Sequence, residues 1–340
     1  LSFALSLSRN LFRREKYDVV MVYCPLMGGV VFAGIRKLLR RDPLWVNIQD
    51  NPADAAAASG MIRSGLLRRF ASGVQKLILN RADVWSSISP DMVERLKRIQ
   101  SKDVPIHLCS NWLTKSLRDS IDPIPSKVGR VMQQPIKLLY CGTIGKKQGL
   151  LQFCEALAKC DLAFDFQIRG AGGESESVRQ WIQHRGDSRF QFGELVSHSE
   201  FIDAIAGADW FVVPQLSSAG GAFFPSKLIP AISIGTPILA VSENEGPLYR
   251  EVSENKIGLV VPWSRIERLA DELATFQDSP DAFFQLQTNC LKRSATYESS
   301  NAIAHFEQLL QQHAFGLRSG AGNPIAVTQS DGHVPSVKHS

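Results

Sequence analysis

Two doubly wound α/β domains facing one another across a cleft are the fold this sequence predicts, and three observations predict it. Short apolar runs alternate with amphipathic stretches of ten or more residues, the pattern of repeated βα units on a parallel sheet. The chain has 340 residues, about twice the roughly 100–200 of one domain, so each half is long enough to bury its own core. Between the halves, residues 119–135 (DSIDPIPSKVGRVMQQP) carry three prolines and no helical or strand period, which reads as a linker.

The elements follow in order. In the first domain, 1–118, strands are predicted at Val19–Tyr23, Leu44–Ile48, Val84–Ile88 and Ile106–Cys109, with helices near 28–40, 61–80 and 90–100. The second domain, 136–295, has strands at Lys137–Cys141, Phe164–Arg169, Phe190–Phe192, Trp210–Val213, Pro237–Val241 and Gly258–Val261. Helices near 149–159, 176–184, 198–206, 226–234 and 264–276 fill the gaps. A last helix is expected within 296–315, and the Gly-, Ser- and Pro-rich residues 316–340 read as a disordered tail. Open sheets of this kind bind ligands at the carboxyl ends of their strands, so the cleft is where function is sought.

Composition removes several classes. Hydrophobic residues at 44% and charged residues at 21% are ordinary globular values, which excludes collagen-like and disordered chains. Six cysteines show no C-x-x-C pair and no histidine at zinc-finger spacing, so they read as buried thiols, with no metal expected. The longest uncharged stretch, Val19 to Ile35, is short of a bilayer span and is broken by Pro25, Gly28 and Gly29. A cytoplasmic protein is the expectation. Charge is uneven: residues 1–135 hold 21 basic and 11 acidic side chains, whereas 136–340 hold 17 and 22. Either the first half meets an anionic partner, such as a bilayer surface, nucleic acid or a phosphorylated acceptor, or the imbalance is only solvated charge. The helix near 62–78 sets Ile62, Leu66, Phe70, Val74, Leu77 and Ile78 on one arc and Arg68, Arg69 and Lys76 on the other. That arrangement suits a membrane surface and a sheet-covering helix equally.

Three places have the chemistry to hold phosphate. Strand KLLYC runs into Gly142-Thr143-Ile144-Gly145-Lys146-Lys147-Gln148-Gly149 and a helix, which gathers glycines, two lysines and a helix start at one strand end. A plain βα turn would look the same. Ile168-Arg169-Gly170-Ala171-Gly172-Gly173 is a second glycine-rich strand end, and as a dinucleotide fingerprint it fails for want of the third glycine and of an acidic residue for the ribose. The third is the small-residue loop Ser217–Ala222 followed by Phe223-Phe224-Pro225-Ser226-Lys227-Leu228, where a lysine stands at a helix start. Together they suggest a diphosphate ligand.

These motifs carry a resemblance. LLYCGTIGKKQGL, FQIRGAGG, FQFGELVSHSEFIDAIAGADWFVVP and FFPSKLIPAISIGTPILA, followed by GLVVP, resemble in order and spacing the donor domain of GT-B glycosyltransferases. The likeness is to the bacterial retaining enzymes of exopolysaccharide, colanic-acid and O-antigen assembly, of the family 4 type. LWVNIQDNPADAAAASG, NRADVWSSISPDMVERL and CSNWL are similar to their acceptor domain, so both domains are expected to be Rossmann-like. The resemblance implies transfer of a sugar, with retention, from a nucleotide diphosphate sugar (a UDP-sugar) to a polyprenyl-diphosphate-linked saccharide acceptor. Nucleic acid is not among the implied partners, and no cofactor beyond the nucleotide-sugar co-substrate is. A peripheral contact with anionic lipid on the inner face of the cell membrane remains open. Donor contacts would come from Gly142, Thr143, Gly145, Lys146, Lys147, Gly170, Gly172, Ser226, Lys227 and Glu245. Lys147 and Lys227 would stabilise charge on the departing diphosphate. Asp50, in IQDNP, is the candidate acceptor-side catalytic group, its alternative being an N-cap or Asx turn. The absence of any D-x-D sequence fits metal-independent transfer.

In two respects the chain departs from that family. Two glutamates that many retaining relatives carry ahead of glycine-threonine-proline align with Ala222 and Pro230, which leaves Glu243 or Glu245 either to take a sugar hydroxyl or to be a solvated loop charge. The first domain also lacks about two βα units at its start and so reads as truncated. An inactive relative that binds a nucleotide sugar or a protein, and a UDP-sugar 2-epimerase, are the alternative readings. An epimerase would need carboxylates and a histidine converging on the cleft, and His107, His184 and His198 lie in no such motif.

Overall fold

The computed structural model describes residues 6–8, 10–11, 15–24, 27–49, 79–122, 128–217 and 224–318. Asp50, the helix expected near 61–80, most of the loop 217–222 and all but the first three residues of the expected tail lie outside them. The first sheet is parallel, in the order β1 (Val20–Cys24), β2 (Leu44–Ile48), β3 (Val84–Ser87), β4 (Ile106–Leu108). Helix α1 (Met27–Arg40) follows β1 and α2 (Pro90–Ile99) follows β3. Ser89 starts α2 by accepting a hydrogen bond from the Met92 N–H, proline stands in its first turn, and Met92, Val93 and Leu96 bury one face. Cys24, Val46, Ile48 and Trp85 pack with Met92 and Leu96 and with Val30 and Ala33 of α1 to form one side of the core.

The second sheet is also parallel and has six strands. They are β5 (Ile136–Thr143), β6 (Phe164–Ala171), β7 (Phe190–Gly193), β8 (Trp210–Pro214), β9 (Ile238–Val241) and β10 (Gly258–Val261), in the order β10-β9-β8-β5-β6-β7. After β7 the chain crosses back to place β8 on the other side of β5, so the strand order reverses between these two. Both faces are buried, as parallel sheets require. Leu138 and Tyr140 of β5 point to one apolar layer with Phe153, Phe166 and Trp210, and Leu139 and Cys141 to the other with Phe211, Val213 and Ile232. The covering helices are α4 (Leu150–Leu157), α5 (Ser175–Arg185), α6 (His198–Gly207), α7 (Leu228–Ile234), α8 (Gly246–Glu254), α9 (Leu269–Asp278) and α10 (Pro280–Ser294).

Several elements correct the expectation. Helix α3 (Lys115–Ile121) occupies the end of the first half and runs three residues into the stretch read as linker, while α8 and α10 form where no helix is predicted. The residue-118 boundary is therefore inside a helix. A final helix, α11 (Ser299–Arg318), turns back across the molecule. Leu309, Phe306 and Leu310 pack on Trp45, Val84 and Cys109, so the second face of the first sheet is covered by the last part of the chain. Arg118 pairs with Glu298, and the Leu113 N–H donates to the Tyr297 carbonyl (2.9 Å), tying the outgoing and returning crossovers together.

Candidate active site

The reversal of strand order between β5 and β8 is where an open α/β sheet offers a crevice, because the flanking loops there diverge. Lys227 fills this point. It directly precedes α7, and its Nζ lies 3.9 Å from the centroid of the buried Tyr140 ring, a cation–π distance. Its Cδ stands 3.5 Å from where a Cβ on Gly142 would be, so glycine there leaves the lysine room. Gly142 also has φ +134°, which disfavours any side chain. Burial pushes the Lys227 pKa down to about 7, partly countered by the neighbouring Cys141. The Cys141 thiol is itself pushed up to about 11 by burial, with Lys227 and Arg169 opposing, so it stays protonated. An ammonium among aromatic and apolar groups, with no carboxylate paired to it among the described residues, is set up to receive an anion.

The remaining expected donor residues surround this point unevenly. Gly145 to Gln148 form a tight turn in which the Gln148 side chain accepts from the Gly145 N–H (3.0 Å). Lys146 is exposed and Lys147 half-buried, its carbonyl accepting from the Leu216 N–H (2.9 Å). Gly170 and Gly172 serve packing: a Cβ would come within 2.2 Å of the Gly142 carbonyl oxygen in the first case and of the Ile144 carbonyl oxygen in the second. They let the loops after β5 and β6 lie against each other. Thr143 and Ser226 are exposed at the strand and helix ends.

Two cavities open between the domains. The first, about 690 Å³, has Tyr23, Asn47, Gln49 and Trp112 on the first-domain side and Gly142, Val196, Ser226, Lys227 and Pro230 on the other. The second, about 720 Å³, lies between α2 and the ends of β8 and β9, and is lined by Asp91, Arg95, Arg98, Ser217, Glu243 and Glu245 among others. Arg250 and Asp91 close its rim at 3.1 Å. Glu245 stands at the start of α8, where its side chain makes no capping hydrogen bond, and Glu243 accepts from the Ser217 hydroxyl (2.9 Å). Gly142, Ser226 and Lys227 thus share one cavity and Glu245 the other, and the described walls of neither include Lys146, Lys147, Gly170 or Gly172. Pro230, which aligns with a glutamate of many retaining relatives, is buried in α7 and offers no side-chain hydrogen bond.

Tyr23, Asn47 and Trp112 are among the lining residues that sequence reasoning did not single out as a site. The signal for one of them was present, since Asn47 is a lone amide inside the apolar strand LWVNI. Of the histidines weighed for an epimerase, His184 is exposed on α5 and His107 is under α11, and His198 alone lines the first cavity, where no described carboxylate joins it. All six cysteines are free, five of them buried. Among the described residues no group of three or more His, Cys, Asp or Glu is placed to hold a metal, and no helix is long and apolar enough to cross a membrane.

Comparison with known proteins agrees with this architecture. Residues 1–112 match the glycosyl transferase 4-like domain and residues 125–294 match the glycosyl transferases group 1 family. The chain belongs to the group 1 glycosyltransferases. WcaI of Escherichia coli (strain K12), named for a colanic acid biosynthesis glycosyl transferase, is 27% identical over 209 residues, covering 58% of this chain and 51% of WcaI. The chain therefore matches about half the length of that relative. Sucrose-phosphate synthase from Thermosynechococcus elongatus superposes with a TM-score of 0.70 at 17% identity, over 94% of this chain and 78% of the synthase. Anabaena Alr3699/HepE, solved in complex with UDP and glucose, gives 0.66 at 16% over 93% and 80%. The fold of this glycosyltransferase is GT-B, with parallel sheets of four and six strands.

Proposed function

We propose that this glycosyltransferase moves a sugar, with retention, from a UDP-sugar to a lipid-linked saccharide in cell-surface polysaccharide synthesis. The observation that carries the donor half is the enclosed Lys227 ammonium beside Gly142 at the strand-order reversal. The diphosphate lies against that ammonium, and charge that grows on it as the glycosidic bond breaks is met by Lys227 and by Lys147 or Lys146 from the opposite loop. Glu243 or Glu245 takes a donor hydroxyl, and Asp50 serves the acceptor side. Support for the donor class comes from the HepE complex with UDP-glucose and, for the pathway class, from WcaI. A peripheral contact of the basic half with anionic lipid brings the enzyme to its acceptor. The open cleft, with no described carboxylate facing His198, favours transfer over epimerisation.

Two measurements test the donor assignment. A panel of UDP- and GDP-sugars is expected to raise the melting temperature, with the UDP forms most effective. Lys227→Ala should weaken UDP binding by about 1.5–3 kcal/mol, the range of a hydrogen bond to a charged group. Unchanged affinity by titration calorimetry in a folded variant would remove Lys227 from the donor site.

A further inference from the structure

The floor of the first cavity is the face of the first sheet that α11 leaves uncovered. Lower on that face Trp45 is covered by Phe306 and donates its indole N–H to the Ser86 hydroxyl (2.8 Å). One step further along β2 stands Asn47, in register with Tyr23 on one side and Ser86 on the other. Asn47 is only 4% exposed, and its Oδ1 is buried without a hydrogen-bond partner. Among the described residues of the cavity wall it is the one side chain in that condition. A buried amide oxygen without a partner costs free energy in the empty protein, and a hydroxyl entering the cavity recovers it. Around it, Tyr23 and Trp112 are 44% and 38% exposed, large faces turned to a cleft and to no core.

The charge pattern adds a second, independent observation. On the first-domain wall, Tyr23, Asn47, Gln49, Asn111, Trp112 and Thr114 are all neutral. Among the described lining residues the cationic groups, Lys227 and His198, are on the second-domain wall. Among the described residues of the floor a phosphate or carboxylate would therefore meet no cation, whereas a ring with hydroxyls on its edge and C–H bonds on its face finds amides and aromatic surfaces. We infer that Asn47 grips a hydroxyl of the acceptor, and that the unit of the acceptor entering the cleft is a neutral sugar ring, with any charged or lipid portion held outside. This rests on the glycosyltransferase reading of the cleft and goes beyond it in naming the acceptor's chemistry and the residue that selects it.

The test uses the full chain saturated with UDP and reads saturation-transfer NMR on free probes. These are the methyl glycosides of glucose, galactose and mannose, against methyl glucuronide and farnesyl diphosphate. At least one neutral glycoside should receive saturation, and the two anionic probes should receive less. Asn47→Leu, close in size, should weaken that glycoside roughly three- to tenfold, the loss of an ordinary hydrogen bond, while the UDP dissociation constant moves less than about twofold. Asn47→Ala, smaller and equally without an acceptor, keeps the test standing where the leucine variant does not fold. A wild-type protein that binds UDP but no neutral glycoside, a preference for either anionic probe, or variants that hold the glycoside as well as the wild type would each overturn the inference. Failure of UDP itself to bind the wild type would remove the glycosyltransferase reading and this inference with it.

Discussion

At the scale of single residues, Lys227 is the group whose state must change when a ligand arrives. Empty, its pKa is held near 7 by burial, and a diphosphate alongside would restore its preference for the charged form. At pH 8 the free protein is then mostly neutral at this position and the complex mostly protonated, so binding takes up protons, and affinity falls as pH rises above 7. Calorimetry at pH 8 in buffers of different ionisation enthalpy should show uptake approaching one proton, lost in Lys227→Met. A heat independent of the buffer would contradict the assignment. How far such residues are legible in the sequence varies. Lys227 could be read from its place after a strand, a glycine loop and a proline, because those signals are local. Asn47 was visible only as a lone amide in an apolar strand, and that becomes a ligand contact only once the strands beside it and the helix that stops short of it are known.

Elements were legible where one physical cause sets them. The apolar runs of β5, β8 and β9 are buried on both faces, and their sequences contain almost nothing else. Helix α8 was not, because its Gly246-Pro247 start has the composition of a turn, and α10 was not, because its inward face includes the polar Gln287 among Phe283, Leu286 and Cys290. What holds α8 and α10 together is a buried network: Arg293 donates to both oxygens of Glu251 at 2.8 Å, and the Tyr297 hydroxyl donates to the same carboxylate at 2.7 Å. Glu251 is 7% exposed, so removal of its cation leaves a charge with too few partners. Arg293→Met should cost about 3–5 kcal/mol, toward the lower end because Arg293 keeps some contact with water. Urea unfolding measures this, and Glu251→Gln added to Arg293→Met should restore part of the loss. Equal stability of the wild type and Arg293→Met would mean that apolar packing alone fixes the two helices.

For the whole molecule, the docking of α11 on the first sheet is the feature that no periodicity announces, because the amphipathic pattern of a helix does not say which sheet it covers. This contact includes two histidines, His107 of β4 and His313 of α11, whose Nε2 atoms are 2.7 Å apart, with His305 also close. Burial, with His313 and His305 adding to it, pushes His107 down to about 4, and burial lowers His313 as well. Unfolded histidines titrate near 6.5. Between that value and about 4 the unfolded chain binds more protons than the folded one, so stability falls as pH falls through this window. The melting temperature should drop more steeply from pH 7 to 4.5 in the wild type than in His107→Gln. Parallel curves would show that the pair carries none of the acid sensitivity.

The same helix has a consequence for how the protein is made. The four described strands of the first sheet have all been made once β4 has left the ribosome, yet the residues that cover the sheet's second face, Phe306, Leu309 and Leu310, are about 200 positions further on. At a synthesis rate of roughly 5–20 residues per second, Trp45 and its neighbours wait on the order of 10–40 s without their cover. During that interval the second domain can finish folding while the first, though earlier in the chain, cannot. Folding of the first domain should therefore lag behind that of the second, and protease digestion of ribosome-stalled chains in which residues 1–295 or 1–340 precede a linker long enough to clear the exit tunnel should cut the first domain only in the shorter one.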